Sequence, residues 1–409
     1  MSRLVLASAL LIVAAGCSSA THGAKGTPIC ARLFDGCHGL NCGTGGNSPY
    51  TNIFPVNGLN STGKCNADRI QLVPGTLHGG GCPDATDLEL ETWHSRLVGR
   101  KGGTVVCAGA ELAQAMFTVR TTAGSVELTI DEVRDFIEGP HAYEGYKIVR
   151  THGGKSACDY DESLAILKDL GFSPPSAGSG STQLTPDGYT PDPNEDLAVA
   201  IGGAVFDVND ASVLSHDGQF FNLACAGDAL AKTVFYELND NEQRTKAALR
   251  MITAKYSSET SYTVRGMTIQ WLPFHGSDND ASPEAFWNAD GKAMCIQKPR
   301  LLDLKVNGKQ VKTEDLPRDL QPTGCASTGS AALPGKCNDT DWVAALKAES
   351  QVPAGPCPTT PPTGAVLESW TDPQGRIILT PRGQPPKAVT APSQPPANAP
   401  TNRDPAATR

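Results

Sequence analysis

Hydrophobic positions change their spacing along the chain, and each change predicts a different element. The opening MSRLVLASALLIVAAGCSSA is apolar without interruption from Leu4 to Ala15, follows Arg3 and ends in small residues at Gly16-Cys17. A run this short, with a positive start and a small-residue end, reads as a secretory signal rather than a membrane span. From Ser18 to Val98 large apolar residues are sparse, Gly and Cys are frequent, and Asp87–Val98 is the one clear amphipathic stretch. Between Gly102 and Arg150 alternating runs such as SVELTI and YKIVR predict strands. The run ESLAILKDLG predicts a short helix with Gly171 as its C-cap, and FSPPSAGSGSTQLTPDGYTPDPNED after it is a loop or linker. Apolar density is highest from Leu197 to Leu304. There Leu230, Val234 and Leu238 recur four apart in NLACAGDALAKTVFYEL, and Leu249 and Ile252 make a similar stripe in EQRTKAALRMITAKY. These predict two helices, Ala224–Leu238 and Glu242–Tyr256, joined by the polar NDN. YTVRGMTIQW alternates again and reads as a strand with a turn or bulge at Gly266. Beyond Pro353 the phrases PPTG, PRGQPPKAV and APSQPPANAP hold too few apolar residues to build a core.

Together these elements predict an α+β protein. A disulfide-stabilised mixed domain carries a helical hairpin packed on antiparallel strands, flanked by an irregular Cys/Gly-rich N-terminal segment and a disordered Pro-rich tail. The expected boundaries are a signal peptide at 1–16, the N-terminal segment at 17–98, the α+β domain at 99–304 with a loop at 173–196, an extension at 305–352 and the tail at 353–409. A formal charge of −9, with Lys and Arg scattered, argues against nucleic acid as a partner.

The cysteines change the picture more than the charge does. Cys17, directly after small residues at the end of the apolar run, resembles the lipobox of bacterial lipoproteins, with Ala14 standing where leucine is usual. The resemblance implies acylation of Cys17, membrane lipid as a partner, and a place in the bacterial cell envelope facing the periplasm or the cell surface. Of the 13 cysteines, setting Cys17 aside leaves an even number: Cys30, Cys37, Cys42, Cys65, Cys82, Cys107, Cys158, Cys225, Cys295, Cys325, Cys337 and Cys357. Outside the cytosol such a set reads as disulfides, and the absence of any CxxC spacing argues against zinc. Reduction is expected to loosen residues 30 to 82 first, because that segment has the least to bury.

Four phrases carry a further resemblance. ACAGDALAK (Ala224–Lys232), LRMITAKYS (Leu249–Ser257), YTVRGMTI (Tyr262–Ile269) and EAFWNADGKAMCIQKPRL (Glu284–Leu301) resemble, in order and spacing, the ADYC domain of bacterial envelope lipoproteins. The resemblance covers roughly Val105 to Leu301 and places AKYS at the family's ADYC signature. Thr233, Ala248 and Ser257 stand where the family has cysteines, and Lys255 stands where it has aspartate. The family has no assigned activity, so the resemblance implies place and fold but no chemistry or cofactor. It further implies two bridges across the helical hairpin in relatives, with Thr233 facing Ala248 and Cys225 facing Ser257. Here Cys225 must find another partner, and Cys295 is the nearest candidate in sequence.

Candidate chemistry is thin. His78-Gly79-Gly80-Gly81 resembles the HGGG oxyanion loop of esterases, yet no GxSxG elbow accompanies it, and a Gly-rich turn into Cys82-Pro83 is the plainer reading. His141 and His152 flank a strand and could meet, but no HExxH is present. The acidic groups Asp192, Asn194, Glu195, Asp196 and Asp278, Asn279, Asp280 miss the EF-hand spacing, with Leu197 at the required glycine and Gly203 at the required glutamate. Trp271, Phe274, Phe286 and Trp287 either hold a sugar or peptide or fill the core, and Trp271, Phe274 and Trp287 are the ligand-binding candidates. The sequence thus favours a lipid-anchored, non-catalytic protein that builds surface structure or binds an envelope protein or glycan. A secreted hydrolase assembled from dispersed residues around His78 is the alternative.

Overall fold

A computed structural model of the chain describes residues 48–381 apart from 67–68, 85–86, 139–140, 151, 173–183, 185, 187–192, 204, 207–212, 216–219, 237, 240, 258–259, 266, 268, 271–281, 298, 327–336, 359–361 and 372–376. Cys17, Cys30, Cys37, Cys42, Trp271 and Phe274 lie outside the described residues. The strands are β1 (Leu59–Asn60), β2 (Gln71–Leu72), β3 (His78–Gly79), β4 (Glu89–Trp93), β5 (Arg96–Lys101), β6 (Thr104–Ala108), β7 (Ala115–Arg120), β8 (Ser125–Glu138), β9 (His141–Val149), β10 (Ala198–Gly202), β11 (Val205–Phe206), β12 (Val213–Ser215), β13 (Phe220–Cys225), β14 (Ile269–Gln270), β15 (Ser282–Asn288), β16 (Ala293–Ile296), β17 (Lys305–Val306), β18 (Lys309–Gln310), β19 (Ala365–Thr371) and β20 (Ile377–Pro381). Helices are α1 (Tyr160–Asp169), α2 (Ala229–Phe235), α3 (Glu242–Ile252), α4 (Thr323–Ala326) and α5 (Asp339–Glu349).

The central sheet runs β1-β13-β10-β9-β8-β7-β2, with β3 also on β7, and its pairings are antiparallel. Its two faces build two cores. Val126, Leu128 and Ile130 of β8 point into one core, but Phe136, six residues past Ile130 at the same parity, points into the other. The register shift between Ile130 and Glu132 accounts for this, because one extra residue in a strand reverses every side chain beyond it. Strand β10 serves both cores through plain alternation, Ala198 and Ala200 on one face and Leu197, Val199 and Ile201 on the other.

The first core is closed by the N-terminal residues and by α1. Asp159 caps α1, accepting from the amides of Asp161 and Glu162, and Gly171 at φ +86° ends it as the sequence predicts. The second core is closed by α2, α3, α5 and one face of a five-stranded sheet, β14-β20-β19-β15-β16. A third sheet, β4-β5-β6, packs beside β10.

Several expectations are corrected. Asp87–Val98 is a hairpin of β4 and β5. The NLAC run ends β13 instead of starting a helix: every residue of β13 is buried, and an unbroken apolar run does not distinguish a buried strand from a buried helix. Helix α3 stops at Ile252, and YTVRGMTIQW supplies only Ile269–Gln270 as strand. Residues 48–61, expected to be irregular and held by bridges, lie almost wholly buried along β13. The chain beyond Pro353, expected not to fold, supplies β19 and β20, with Leu367 fully buried. Four described disulfides join Cys82 to Cys107, Cys158 to Cys225, Cys295 to Cys357 and Cys325 to Cys337, while Cys65 is an exposed free thiol. Cys225 therefore pairs with Cys158, not Cys295, because β13 carries it into the first core beside the turn before α1.

Candidate functional site

A cleft of ≈ 740 Å³ opens where five separated parts of the chain meet, Pro49–Ile53, Lys147 of β9, Gly154–Tyr160, Pro193–Asp196 and Arg265. Tyr50 and Tyr160 stack at 5.5 Å between ring centroids and form an aromatic wall. The Cys158–Cys225 bridge fixes the turn before α1 to β13, and Ser156 Oγ donates to the carbonyl of Asp196 at 2.5 Å. The cleft is thus framed by turns that a disulfide and a buried hydroxyl hold in place.

Behind this wall lies a buried charge cluster. Asp228 is the N-cap residue of α2, yet its side chain does not cap the helix. Its carboxylate, fully buried, accepts from Ser48 Oγ at 2.8 Å, from the Ile53 amide at 2.7 Å and from Arg265 Nη2 at 2.9 Å. Arg265 also pairs with Glu195 at 3.5 Å, and its guanidinium lies 5.8 Å from the Tyr50 ring centre. One turn further along α2, Lys232 is 1% exposed. Burial pushes its ammonium down to about 8, against the pull of Glu195, Asp228 and Glu138, while Arg265 adds to the downward push. Tyr236 is held well above the usual phenol range by burial and by Glu138. Asn52 completes the strap, donating to the Leu223 carbonyl at 2.9 Å and accepting from the Cys225 amide at 3.1 Å.

A second buried network explains AKYS. Thr253 is the C-cap of α3 and Ala254 adopts φ +50°. The Lys255 amide donates back to Arg250 at 2.9 Å and the Ala254 amide to Met251 at 3.2 Å, which together make a Schellman turn. That turn delivers Tyr256 into the core, where its hydroxyl donates to Glu284 Oε1 at 2.6 Å. Glu284 also receives Arg300 Nε at 2.7 Å and Nη2 at 2.9 Å, and all three side chains are buried. The phenol of Tyr256 is held well above its usual range, by burial first and then by the carboxylate.

Trp287, a ligand-binding candidate from sequence, belongs to this network: it is fully buried, stacks on Tyr256 at 5.5 Å and donates to Ser369 Oγ at 3.0 Å. It is core, and Trp271 and Phe274 lie outside the described residues.

The dispersed histidines do not converge. His78 pairs with Met116 of β7, which pairs with Thr129 of β8, which pairs with Val149 of β9, so three strand spacings, about 14 Å, separate it from the end of β9. His141 opens that nine-residue strand and His152 lies past its other end, where it pairs with Asp131 at 3.1 Å. In the glycine loop the Gly81 amide donates to the Glu111 carbonyl and the Cys82 amide to Gly79, so these donors are already used. A side chain on Gly80 would collide with Ala113 O at 2.5 Å, which explains the glycine by close packing. Of the acidic groups, Glu195 pairs with Arg265 and Asp196 with Arg134, while Asp192 and residues 278–280 lie outside the described residues.

Sequence reading missed the cleft because its walls come from five separated parts of the chain. The signal that could have pointed to one wall is the spacing of Ile53, Phe54, Val56 and Leu59 among Asn and Ser residues, the mark of a buried strap held by side-chain amides.

Residues 109–302 match the family model of the ADYC domain. No curated protein and no solved structure matches the chain. Tyr256, Glu284 and Arg300 fall within the matched region, and the chain is an ADYC domain-containing protein.

Proposed function

We propose that this chain is a lipid-anchored protein of the bacterial envelope that binds a protein or glycan partner through the cleft at Tyr50, Tyr160 and Arg265. The observation that carries the reading is that most of the cleft's charges are already paired, Lys147 of β9 being the further cation on its wall. Arg265 is committed to Asp228 and Glu195, Lys155 to Asp159 at 3.1 Å, and Asp196 to Arg134 at 3.5 Å. Such a site presents a fixed aromatic and hydrogen-bonding surface, which suits recognition better than attack by a nucleophile beside a base. The segment between Cys17 and Ser48 spans on the order of 100 Å when extended, so an acylated Cys17 leaves the cleft free to meet a partner above the membrane.

Two measurements test the reading separately. Intact mass of membrane-extracted protein should exceed that of the chain from Cys17 by its acyl groups, and Cys17→Ala should release it from membranes. An unacylated N-terminus removes the anchor. Photo-crosslinking from position 160 in intact envelopes should give a discrete adduct that Tyr50→Ala and Arg265→Ala abolish. Unchanged crosslinking in both variants removes the cleft.

A further inference from the structure

Trp93 is 54% exposed and Ile137 50% exposed, the large apolar side chains that stand out from the surface among the described residues. Trp93 ends β4 and pairs with Arg96 across a two-residue loop, His94-Ser95. Both loop residues have positive φ, +48° and +59°, as a type I′ hairpin turn requires. Asn-Gly meets that requirement without strain; His and Ser do not, so this turn spends stability to hold a fixed tip. The His94 ring rests 4.8 Å from the Trp93 ring, which braces the indole in its exposed position.

Ile137 stands at the far end of the longest hairpin, paired with Ala142. The two tips share one end of the molecule. A Cβ on Gly202, the last residue of β10, would lie 3.0 Å from Thr92 Oγ1, so the end of β4 packs on the end of β10. Strand β10 runs antiparallel to β9 from Ala198 opposite Tyr146 and Val199 opposite Gly145, which carries Gly202 toward Ala142.

We propose that this end is a membrane-interface surface, with Trp93 and Ile137 entering the headgroup region of a bilayer. Separate tips suit a fluid surface that conforms to them, whereas a protein partner is met by a contiguous patch. An indole, apolar but carrying one N–H donor, favours the interface, and exposed Arg96 beside it can reach lipid phosphates. The proposal rests on the lipid-anchor reading, because two side chains bind a bilayer weakly and a tether supplies the local concentration. With a formal charge of −9 the chain gains nothing from anionic lipid, so zwitterionic bilayers are the matching surface.

The test places the acylated full-length protein in phosphatidylcholine vesicles whose acyl chains carry bromine, which quenches nearby indoles. Quenching is expected to be stronger in the wild type than in Trp93→Phe, the difference isolating Trp93 from Trp271, Trp287, Trp342 and Trp370; Trp287 and Trp342 are fully buried and contribute little. Full-length Cys17→Ala protein should partition into the same vesicles weakly, and about tenfold less after Trp93→Ser. Wild type that is tethered but shows no quenching attributable to Trp93 overturns the proposal. So does a Trp93 emission shift with soluble envelope glycans and none with lipid. If the wild type carries no acyl group, it and Cys17→Ala behave alike, which defeats the anchor; the effect of Trp93→Ser on free partition then decides the surface alone.

Discussion

Arg300, Glu284 and Tyr256 show at the level of single residues why the AKYS turn is built as it is. A buried guanidinium and carboxylate each lose hydration, and the loss is offset here by a two-pronged pair plus a phenol on the same oxygen. Removing one member should therefore cost more than removing both. Glu284→Ala should destabilise by about 3–5 kcal/mol, and Glu284→Met combined with Arg300→Met should cost clearly less than the sum of the single changes. Tyr256→Phe, which leaves the ion pair intact, should cost about 1.5–3 kcal/mol. Denaturant unfolding of the wild type, Glu284→Ala, Glu284→Met, Arg300→Met, the double Met variant and Tyr256→Phe checks this, and additive costs in the Met cycle would mean that Glu284 and Arg300 do not act as one unit. At Asp228 the same reasoning concerns the strap. Asp228→Ala leaves the Ile53 amide and Arg265 without their shared acceptor, so hydrogen exchange at Ile53 should accelerate well before global unfolding.

Between elements, the Cys158–Cys225 bridge ties the turn before α1 to β13 across 67 residues of chain. Cys158→Ala with Cys225→Ala should lower stability by roughly 2–5 kcal/mol and loosen the cleft's Ser156–Tyr160 wall, seen as faster exchange there. Helices α2 and α3 pack in one core, with Thr233 and Ala248 buried at 1% and 0%. The family resemblance puts cysteines at these two places. Thr233→Cys with Ala248→Cys should accordingly oxidise to a disulfide, so that thiol titration finds no more thiols than in the wild type with its free Cys65, and two additional thiols would refute that facing register. What was legible beforehand follows a physical line. Strand β8 and helix α1 were readable because each keeps a wet face, which writes a period of 2 or 3.6 into the sequence. Strand β13 was not, since burial on both faces erases the period. Strands β19 and β20 were hidden in a Pro-rich context whose few apolar residues find partners only in a distant strand, β15. For the same reason the cleft left no local mark: Tyr50, Tyr160, Glu195 and Arg265 are brought together only by the tertiary fold.

For the whole molecule, the buried titrating groups make stability depend on alkaline pH in two opposing ways. Lys232 titrates near 8 in the fold against a usual 10.5, so from pH 8 upward the folded protein releases a proton that the unfolded chain still holds. Across that window the unfolded state binds more protons, and stability rises with pH, by up to about 3 kcal/mol before the unfolded lysine also titrates. Tyr146, Tyr236 and Tyr256 act in the reverse sense. Burial raises each above the usual 10, Tyr146 and Tyr256 with a hydrogen bond to Glu144 and Glu284 and Tyr236 beside Glu138, so above pH 10 the unfolded chain ionises phenols that the fold keeps neutral. Their contribution is complete below that pH and is lost as pH climbs toward their folded values. The two trends place maximum stability near pH 10, followed by a steep alkaline collapse in which these three phenolates appear only on unfolding. Denaturant midpoints measured from neutral to strongly alkaline pH, with phenolate absorbance followed in parallel, test both limbs. Lys232→Met should flatten the rising limb and leave the collapse in place. If the rise survives that substitution, the buried amine is not its source; if the phenols ionise in the folded protein, their burial does not govern the collapse.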